Sequence, residues 1–166
     1  STTIALNGVD TDTVVGFEAA SGSNTGGDTI LGGAGNDTIF GNGGDDSIEG
    51  RGGANSLDGG SGIGDLVSYQ AATAAVTLSL VTNQATVGLD VDTLAGFEIV
   101  HGSNGFGDSL TGSSLADTIH GLDGDDVIDG GLAGDSLDGG AGNDLIDYGL
   151  SATGVSVNLA TGIVAG

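Results

Sequence analysis

Aliphatic residues recur along this chain at intervals of nine, once ten, each followed within a few positions by a glycine-rich run. They are Ile30, Ile39, Ile48, Leu57 and Val67, then Leu110, Ile119, Ile128, Leu137 and Ile146. Neither the 3.6-residue period of a helix nor long strand alternation produces this spacing. A three-residue strand does, if its middle side chain points inward and a six-residue turn follows. Two such units close one coil of 18 residues, which predicts an all-β chain wound as a parallel β-roll or β-solenoid. A glycine-rich linker has no reason to keep an aliphatic residue at every ninth place.

Read in register, the first block runs GGAGNDTIF (32–40), GNGGDDSIE (41–49), GRGGANSLD (50–58) and GGSGIGDLVSY (59–69). The second runs GSSLADTIH (112–120), GLDGDDVID (121–129), GGLAGDSLD (130–138) and GGAGNDLIDY (139–148). These units match the G-G-x-G-x-D-x-U-x nonapeptide of calcium-binding β-helices. Over 22–69 and 102–148 the chain therefore resembles the RTX, or haemolysin-type, calcium-binding repeat family.

A longer period is superimposed. Gly16, Phe17 and Glu18 return 80 residues later as Gly96, Phe97 and Glu98, and Asp28, Asp37 and Asp46 as Asp108, Asp117 and Asp126. The offset falls to 79 at Tyr69 and Tyr148, because the loop before Asp65 carries one extra residue. Residues 1–166 are expected to form one continuous solenoid fragment of tandem units, opening and closing inside a repeat. Between the blocks, 70–101 reads as further strands in VTLSL (76–80), QATVG (84–88) and LAGFEIV (94–100), and 149–166 starts that segment again with VSVNL (155–159). An independent domain of ~30 residues without disulfides would have too small a core, so these strands belong to the same stack as wider rungs.

Composition narrows the partners. There are 36 glycines, 23 acidic residues and a single basic one, Arg51, giving a net charge of −22. Nucleic acid needs a basic face, so it is excluded as a partner. Membrane insertion is excluded too, since no segment approaches the ~20 apolar residues of a span. The chain has no cysteine, so disulfides cannot staple it. Its partner must be cationic. Free of cations, so acidic and glycine-rich a chain is expected to stay unfolded.

Calcium takes six to eight oxygen ligands in flexible geometry. Loops one coil apart lie above one another, so a cation can sit between two of them. This stacking is expected to align Asp28, Asp46 and Asp65, and later Asp108, Asp126 and Asp144, on one edge. Asp37 with Asn55, and Asp117 with Asp135, would align on the other. The resemblance implies the remaining ligands: carbonyls from the second and fourth positions of the upper loop and the first and third of the lower. Carried over, these are Asn24 and Gly26 with Gly41 and Gly43; Asn42 and Gly44 with Gly59 and Ser61; and Gly33 and Gly35 with Gly50 and Gly52. In the second block they are Asn104 and Phe106 with Gly121 and Asp123; Leu122 and Gly124 with Gly139 and Ala141; and Ser113 and Leu115 with Gly130 and Leu132. Roughly five to eight Ca2+ ions are expected.

Some loops depart from the pattern. Asn55 keeps an oxygen but loses a charge, GSSLAD lacks most of its glycines, and the insertion before Asp65 threatens its site. Asp12 and Asp92 are candidates for additional sites. The outward Asp58, Asp129, Asp138 and Asp147 read as a solvated face that prevents lateral sticking. His101 and His120 lack further histidine or cysteine partners and read as surface residues. No nucleophile–base or zinc motif is present, and calcium-bound carboxylates cannot act as general acids or bases. The expected function is therefore structural, not enzymatic: a calcium-folded segment of a large secreted or bacterial cell-surface protein, capable of end-to-end self-association. The alternative is the C-terminal calcium roll of a secreted hydrolase.

Overall fold

The computed structural model describes residues 17–151, Gly154 and the backbone of two short strands at 156–158 and 163–165. Asp12 lies outside the described residues. All regular structure among them is β: β1 (Ala19–Ser21), β2 (Thr29–Leu31), β3 (Thr38–Phe40), β4 (Ser47–Glu49), β5 (Ser56–Asp58) and β6 (Leu66–Ser68) in the first block. The segment between the blocks holds β7 (Val76–Ser79), β8 (Gln84–Val87), β9 (Asp90–Ala95) and β10 (Ile99–His101). The second block gives β11 (Ser109–Thr111), β12 (Thr118–His120), β13 (Val127–Asp129), β14 (Ser136–Asp138) and β15 (Leu145–Ile146). Two strands follow, β16 (Ser156–Asn158) and β17 (Ile163–Ala165).

The chain winds between two facing sheets as a parallel β-solenoid. The larger sheet has the order β1-β3-β5-β9-β8-β7-β11-β13-β15 and the smaller β14-β12-β10-β6-β4-β2. Within the blocks, partners lie one coil apart: Thr38 pairs with Ser56, Ile30 with Ile48 and Ile119 with Leu137, each 18 residues on. The middle residue of each three-residue strand faces the interior, as strand alternation requires. Ile39, Ile48, Leu57, Val67, Leu110, Ile119 and Ile128 are buried there, while Leu137 near the last coil is partly covered. Each buried aliphatic side chain contributes about 1.5–3 kcal/mol of transfer free energy.

The segment between the blocks differs from a simple wider rung. β7, β8 and β9 form an antiparallel meander inserted into the otherwise parallel larger sheet. β9 pairs back onto β5, while β7 pairs forward onto β11. The stretch LAGFEIV is not one strand: Gly96, with φ of +64°, ends β9, and the chain crosses to the other sheet before β10. β16 and β17 repeat the β7–β8 hairpin, with Val157 opposite Val164 as Leu78 is opposite Ala85.

That meander decides which edge each loop occupies. It counts as a single pass, so one 80-residue unit makes an odd number of passes between the sheets. β1 lies in the larger sheet and its copy β10 in the smaller; β2 lies in the smaller and its copy β11 in the larger. The expected edge assignment is therefore corrected. Asp28, Asp46 and Asp65 share an edge with Asp117 and Asp135, whereas Asp37 and Asn55 share theirs with Asp108, Asp126 and Asp144.

Candidate metal centres

Along both edges the sixth residue of each loop builds a ladder. Its main-chain N–H donates to a side-chain oxygen of the corresponding residue one coil further on. On the first edge Asp28 donates to Asp46 Oδ1 at 2.7 Å and Asp46 to Asp65 Oδ1 at 2.7 Å, and Asp117 donates to Asp135 Oδ1 at 3.0 Å. On the second, Asp37 donates to Asn55 Oδ1 at 2.9 Å, Asp108 to Asp126 Oδ1 at 2.7 Å and Asp126 to Asp144 Oδ1 at 3.0 Å. Oδ1 of Asp46, Asp65, Asp126, Asp135 and Asp144 is thus committed to the backbone of the neighbouring coil. Oδ2 of Asp46, Asp65 and Asp126 is left for the loop interior.

The loop sequence explains how acids come to lie inside. A Cβ on Gly32, at the first position, would stand 2.7 Å from Asp37 Oδ2 and 2.5 Å from the Gly50 carbonyl. Any side chain there would displace the carboxylate from the stack. Second and fourth positions turn the chain with left-handed φ: Asn42 at +76°, Leu122 at +82°, Gly44 at +108° and Gly124 at +139°. The loops at 32–37 and 112–117 lack this turn, since Gly33, Gly35, Ser113 and Leu115 keep ordinary φ. In those two loops the acid folds back instead, and Asp37 and Asp117 accept from the N–H groups of Gly33 and Ser113 at 2.6 Å.

Of the carbonyls implied as ligands, several already join neighbouring loops. Those of Asn42 and Leu122 accept from the N–H groups of Ser61 and Ala141 at 2.8 and 2.7 Å. Those of Ser61, Asp123 and Ala141 accept from Gly44, Gly105 and Gly124 at 3.1, 2.8 and 2.9 Å. The carbonyls of Gly41, Gly59, Gly121 and Gly139 accept none. Those of Gly33 and Ser113 accept from Gly52 and Leu132 at 3.2 and 3.1 Å. Gly26 and Phe106 take a hydroxyl, from Ser23 at 3.0 Å and Ser103 at 3.4 Å. Asn104 bridges to Asp123, and Gly43 to Ser61, in parallel register.

Four buried carboxylate oxygens have no hydrogen-bond partner: Asp46 Oδ2, Asp65 Oδ2, Asp117 Oδ1 and Asp126 Oδ2. Burial pushes the carboxyls of Asp46, Asp65, Asp126 and Asp135 above the usual carboxylate range. Neighbouring acids add to this, Asp65 and Asp28 around Asp46, and Asp108 and Asp144 around Asp126. Two carboxylates ~5 Å apart repel by about 3 kcal/mol at an effective dielectric of ~20. Among the described residues the closest approach of opposite-charge types is His120 Nδ1 to Asp138 Oδ2, at 3.7 Å on the outer face, so no cationic side chain relieves the stacks. Orphaned hard oxygens between loops, repelling one another, fit a hard divalent cation. No group of three His, Cys, Asp or Glu side chains among the described residues is arranged to hold an ion alone. Main-chain carbonyls or water would have to complete any such site.

The remaining candidates fall as follows. The insertion before Asp65 bulges outward at the exposed Ile63, and Asp65 keeps its rung in the ladder. Asp92 continues the second edge, accepting from Asn55 N–H at 2.7 Å, but its other oxygen takes the buried Tyr69 hydroxyl at 2.8 Å. Asp129, Asp138 and Asp147 are more than a solvated face: each accepts from the N–H two residues on, at 2.9, 3.1 and 2.8 Å, and so opens the next turn. His101 and His120 pack edge to face on the outer surface, ring centroids 5.0 Å apart. Sequence reasoning missed Glu98. Its Oε2 accepts from Asp65 N–H at 3.1 Å and so occupies the ladder position of an aspartate. The repeated Gly-Phe-Glu at 16–18 and 96–98 was the available signal.

No curated protein matches the chain. The RTX calcium-binding nonapeptide repeat matches it in four copies, over residues 23–57, 31–66, 102–136 and 111–146, more than half of the 166 residues. The chain therefore belongs to the RTX calcium-binding nonapeptide repeat family.

Proposed function

We propose that the chain is a structural segment of a large secreted or bacterial cell-surface protein, of adhesin, surface-layer or filament type, which winds into its coil when calcium binds outside the cell. The observation that carries this reading is the set of buried, partnerless carboxylate oxygens stacked between loops. In a calcium-poor interior these acids repel and the chain stays open. At millimolar calcium outside, each ion would be held between Asp28 and Asp46, Asp46 and Asp65, Asp108 and Asp126, Asp126 and Asp144, or Asp117 and Asp135, with loop carbonyls. The weaker Asp37–Asn55 pair has one carboxylate. What the ion supplies is charge neutralisation, so metal uptake and folding become one event.

A tandem unit serves length and spacing better than it serves a reaction, which favours the structural role over the export roll of a hydrolase. The sheet edges at β14 and β15 suit end-to-end contact with a further coil. The test is circular dichroism of the chelated chain during calcium titration, with magnesium as control. A coil-to-β change on adding calcium alone is expected. A β-spectrum already present in chelator at pH 7 would refute the coupling.

A further inference from the structure

The first-edge ladder has one break, and it falls where the two nonapeptide blocks meet. By the rule that governs the other rungs of this edge, the Glu98 N–H should donate to Asp117 Oδ1. It donates instead to the Asp65 carbonyl at 3.1 Å, as does the N–H of Ile99 at 3.0 Å. Asp117 Oδ1 is left buried with no partner, on a residue only 3% exposed. Facing it across the break, Glu98 commits only Oε2, to Asp65 N–H, and Oε1 accepts nothing. A buried, unpartnered aspartate oxygen and a partly exposed glutamate carboxylate thus come together where the crossing from β9 to β10 is too short to carry a nonapeptide turn.

The short crossing also leaves room. A cleft of about 140 Å³ opens at this point, lined by Glu98, Gly96 and Phe97 on one side and by Ser113 and Leu115 of the loop ending at Asp117 on the other. A water's share of liquid volume is ~30 Å³, so the cleft can hold an ion with part of its hydration shell. Glu98 lies near three further acids, Asp65, Asp117 and Asp45. Among the described residues no cationic side chain is placed to relieve them.

We propose that a hydrated divalent cation, calcium in the medium where the chain works, bridges Glu98 and Asp117 at this seam and ties the two blocks together on the first edge. Only one of the site's two acids, Asp117, belongs to a nonapeptide loop. The site rests on the calcium reading above, but its ligands do not come from two stacked loops: Glu98 supplies one carboxylate, Asp117 the other, and water fills the positions that glycine-turn carbonyls fill elsewhere. Glu18 occupies the corresponding place in the preceding unit.

The test is to count calcium ions per chain by isothermal titration of the apo protein with calcium chloride, with circular dichroism at saturation to verify folding. Glu98→Gln keeps an oxygen for the Asp65 N–H and removes the charge; it should bind one ion fewer than the unaltered chain. A second pair of variants works even if Glu98→Gln does not fold. Asp135→Asn should lose the ion between Asp117 and Asp135, whereas Asp117→Asn should lose that ion and the seam ion together. Equal losses from Asp117→Asn and Asp135→Asn, or an unchanged count in folded Glu98→Gln, would overturn the seam site while leaving calcium-coupled folding intact. Absence of calcium uptake by the unaltered chain would overturn both.

Discussion

The two edges of the coil cross from the first block to the second in different ways. On the first, the rungs run Asp28, Asp46, Asp65 and Glu98, then break before Asp117. On the second they run Asp37, Asn55 and Asp92, and a neutral donor takes over: the Tyr69 hydroxyl satisfies Asp92, and Val76 N–H satisfies Asp108 Oδ1 at 2.7 Å. Asp92 and Asp108 both lie buried with hydrogen bonds to each carboxylate, whereas Asp117 keeps a buried oxygen unmet beside the partly exposed Glu98. One seam is closed by the protein's own hydroxyl and backbone. The other waits for a positive charge. Repeat architecture permits this asymmetry because each coil contacts only its neighbours, so one interface can change chemistry without disturbing the next.

The largest expected effect comes from removing every cation at once, because it strips charge compensation from the stacks on both edges and leaves only the Tyr69 clasp. In chelator at pH 7 the chain should lose its β-spectrum altogether. Acid should then restore part of it. The folded-state pKa values of Asp46, Asp65 and Asp126 are raised, so protonation favours the coil; that contribution is complete below the ordinary carboxylate value of ~4 and is lost as pH rises through the raised values. A pH titration in chelator, followed by circular dichroism, should show β-structure growing as pH falls toward 4. Failure of β-structure to return on acidification would contradict the stacking of these acids.

A smaller effect should be the same on both edges, and so tests whether the loops are equivalent away from the seam. A Cβ on Gly41 would collide with Asp46 Oδ2 and the Gly59 carbonyl, and one on Gly121 with Asp126 Oδ2 and the Gly139 carbonyl. Gly41→Ala and Gly121→Ala should each cost about 1–3 kcal/mol by overpacking and each displace local calcium. Melting temperature and ion count, measured in saturating calcium, would check this. A large difference between the two variants would mean that the edges differ throughout and not only where the blocks join.

How much of this was legible beforehand follows from the same contrast. The nonapeptide is local, so the inward aliphatics, the turns and the sixth-position acids could all be read from spacing, and Ile39, Ile48, Leu110 and Ile119 are buried as expected. Edge assignment in the second block depends on a long-range property, the parity of passes through the meander. Whether LAGFEIV is one strand or two changes that parity, and periodicity within seven residues cannot decide it. Glu98 escaped, and Asp92 was read only as a candidate metal site, for a related reason: their hydrogen bonds are set by Asp65 and Tyr69, more than twenty residues away in sequence.

Tyr69→Phe isolates the neutral seam. It deletes one hydroxyl, fills nearly the same volume and leaves Asp92 Oδ2 buried and unpartnered, at a cost of about 1–3 kcal/mol. Because no cation takes part there, the loss should be the same at limiting and saturating calcium, and the ion count should not change. Glu98→Gln should behave oppositely, its effect growing with calcium. If Tyr69→Phe lowers the ion count instead, Asp92 is a ligand after all and the two seams are alike.

The smallest effect concerns backbone strain within a loop. Leu122 holds a φ of +82° at the second position, where Gly131 and Gly140 hold +89° and +90° in the loops that follow. A β-carbon makes this left-handed region unfavourable by roughly 1–2 kcal/mol, and leucine has no short polar group to offset it. Replacing Leu122 by glycine removes that strain but frees the unfolded backbone, so the net gain should be below about 1 kcal/mol. The gain should appear as a slightly higher melting temperature at fixed calcium, with the ion count unchanged, since the ladder acids and the main-chain carbonyl both remain. Lower stability would mean that the Leu122 side chain makes contacts worth more than the strain it imposes.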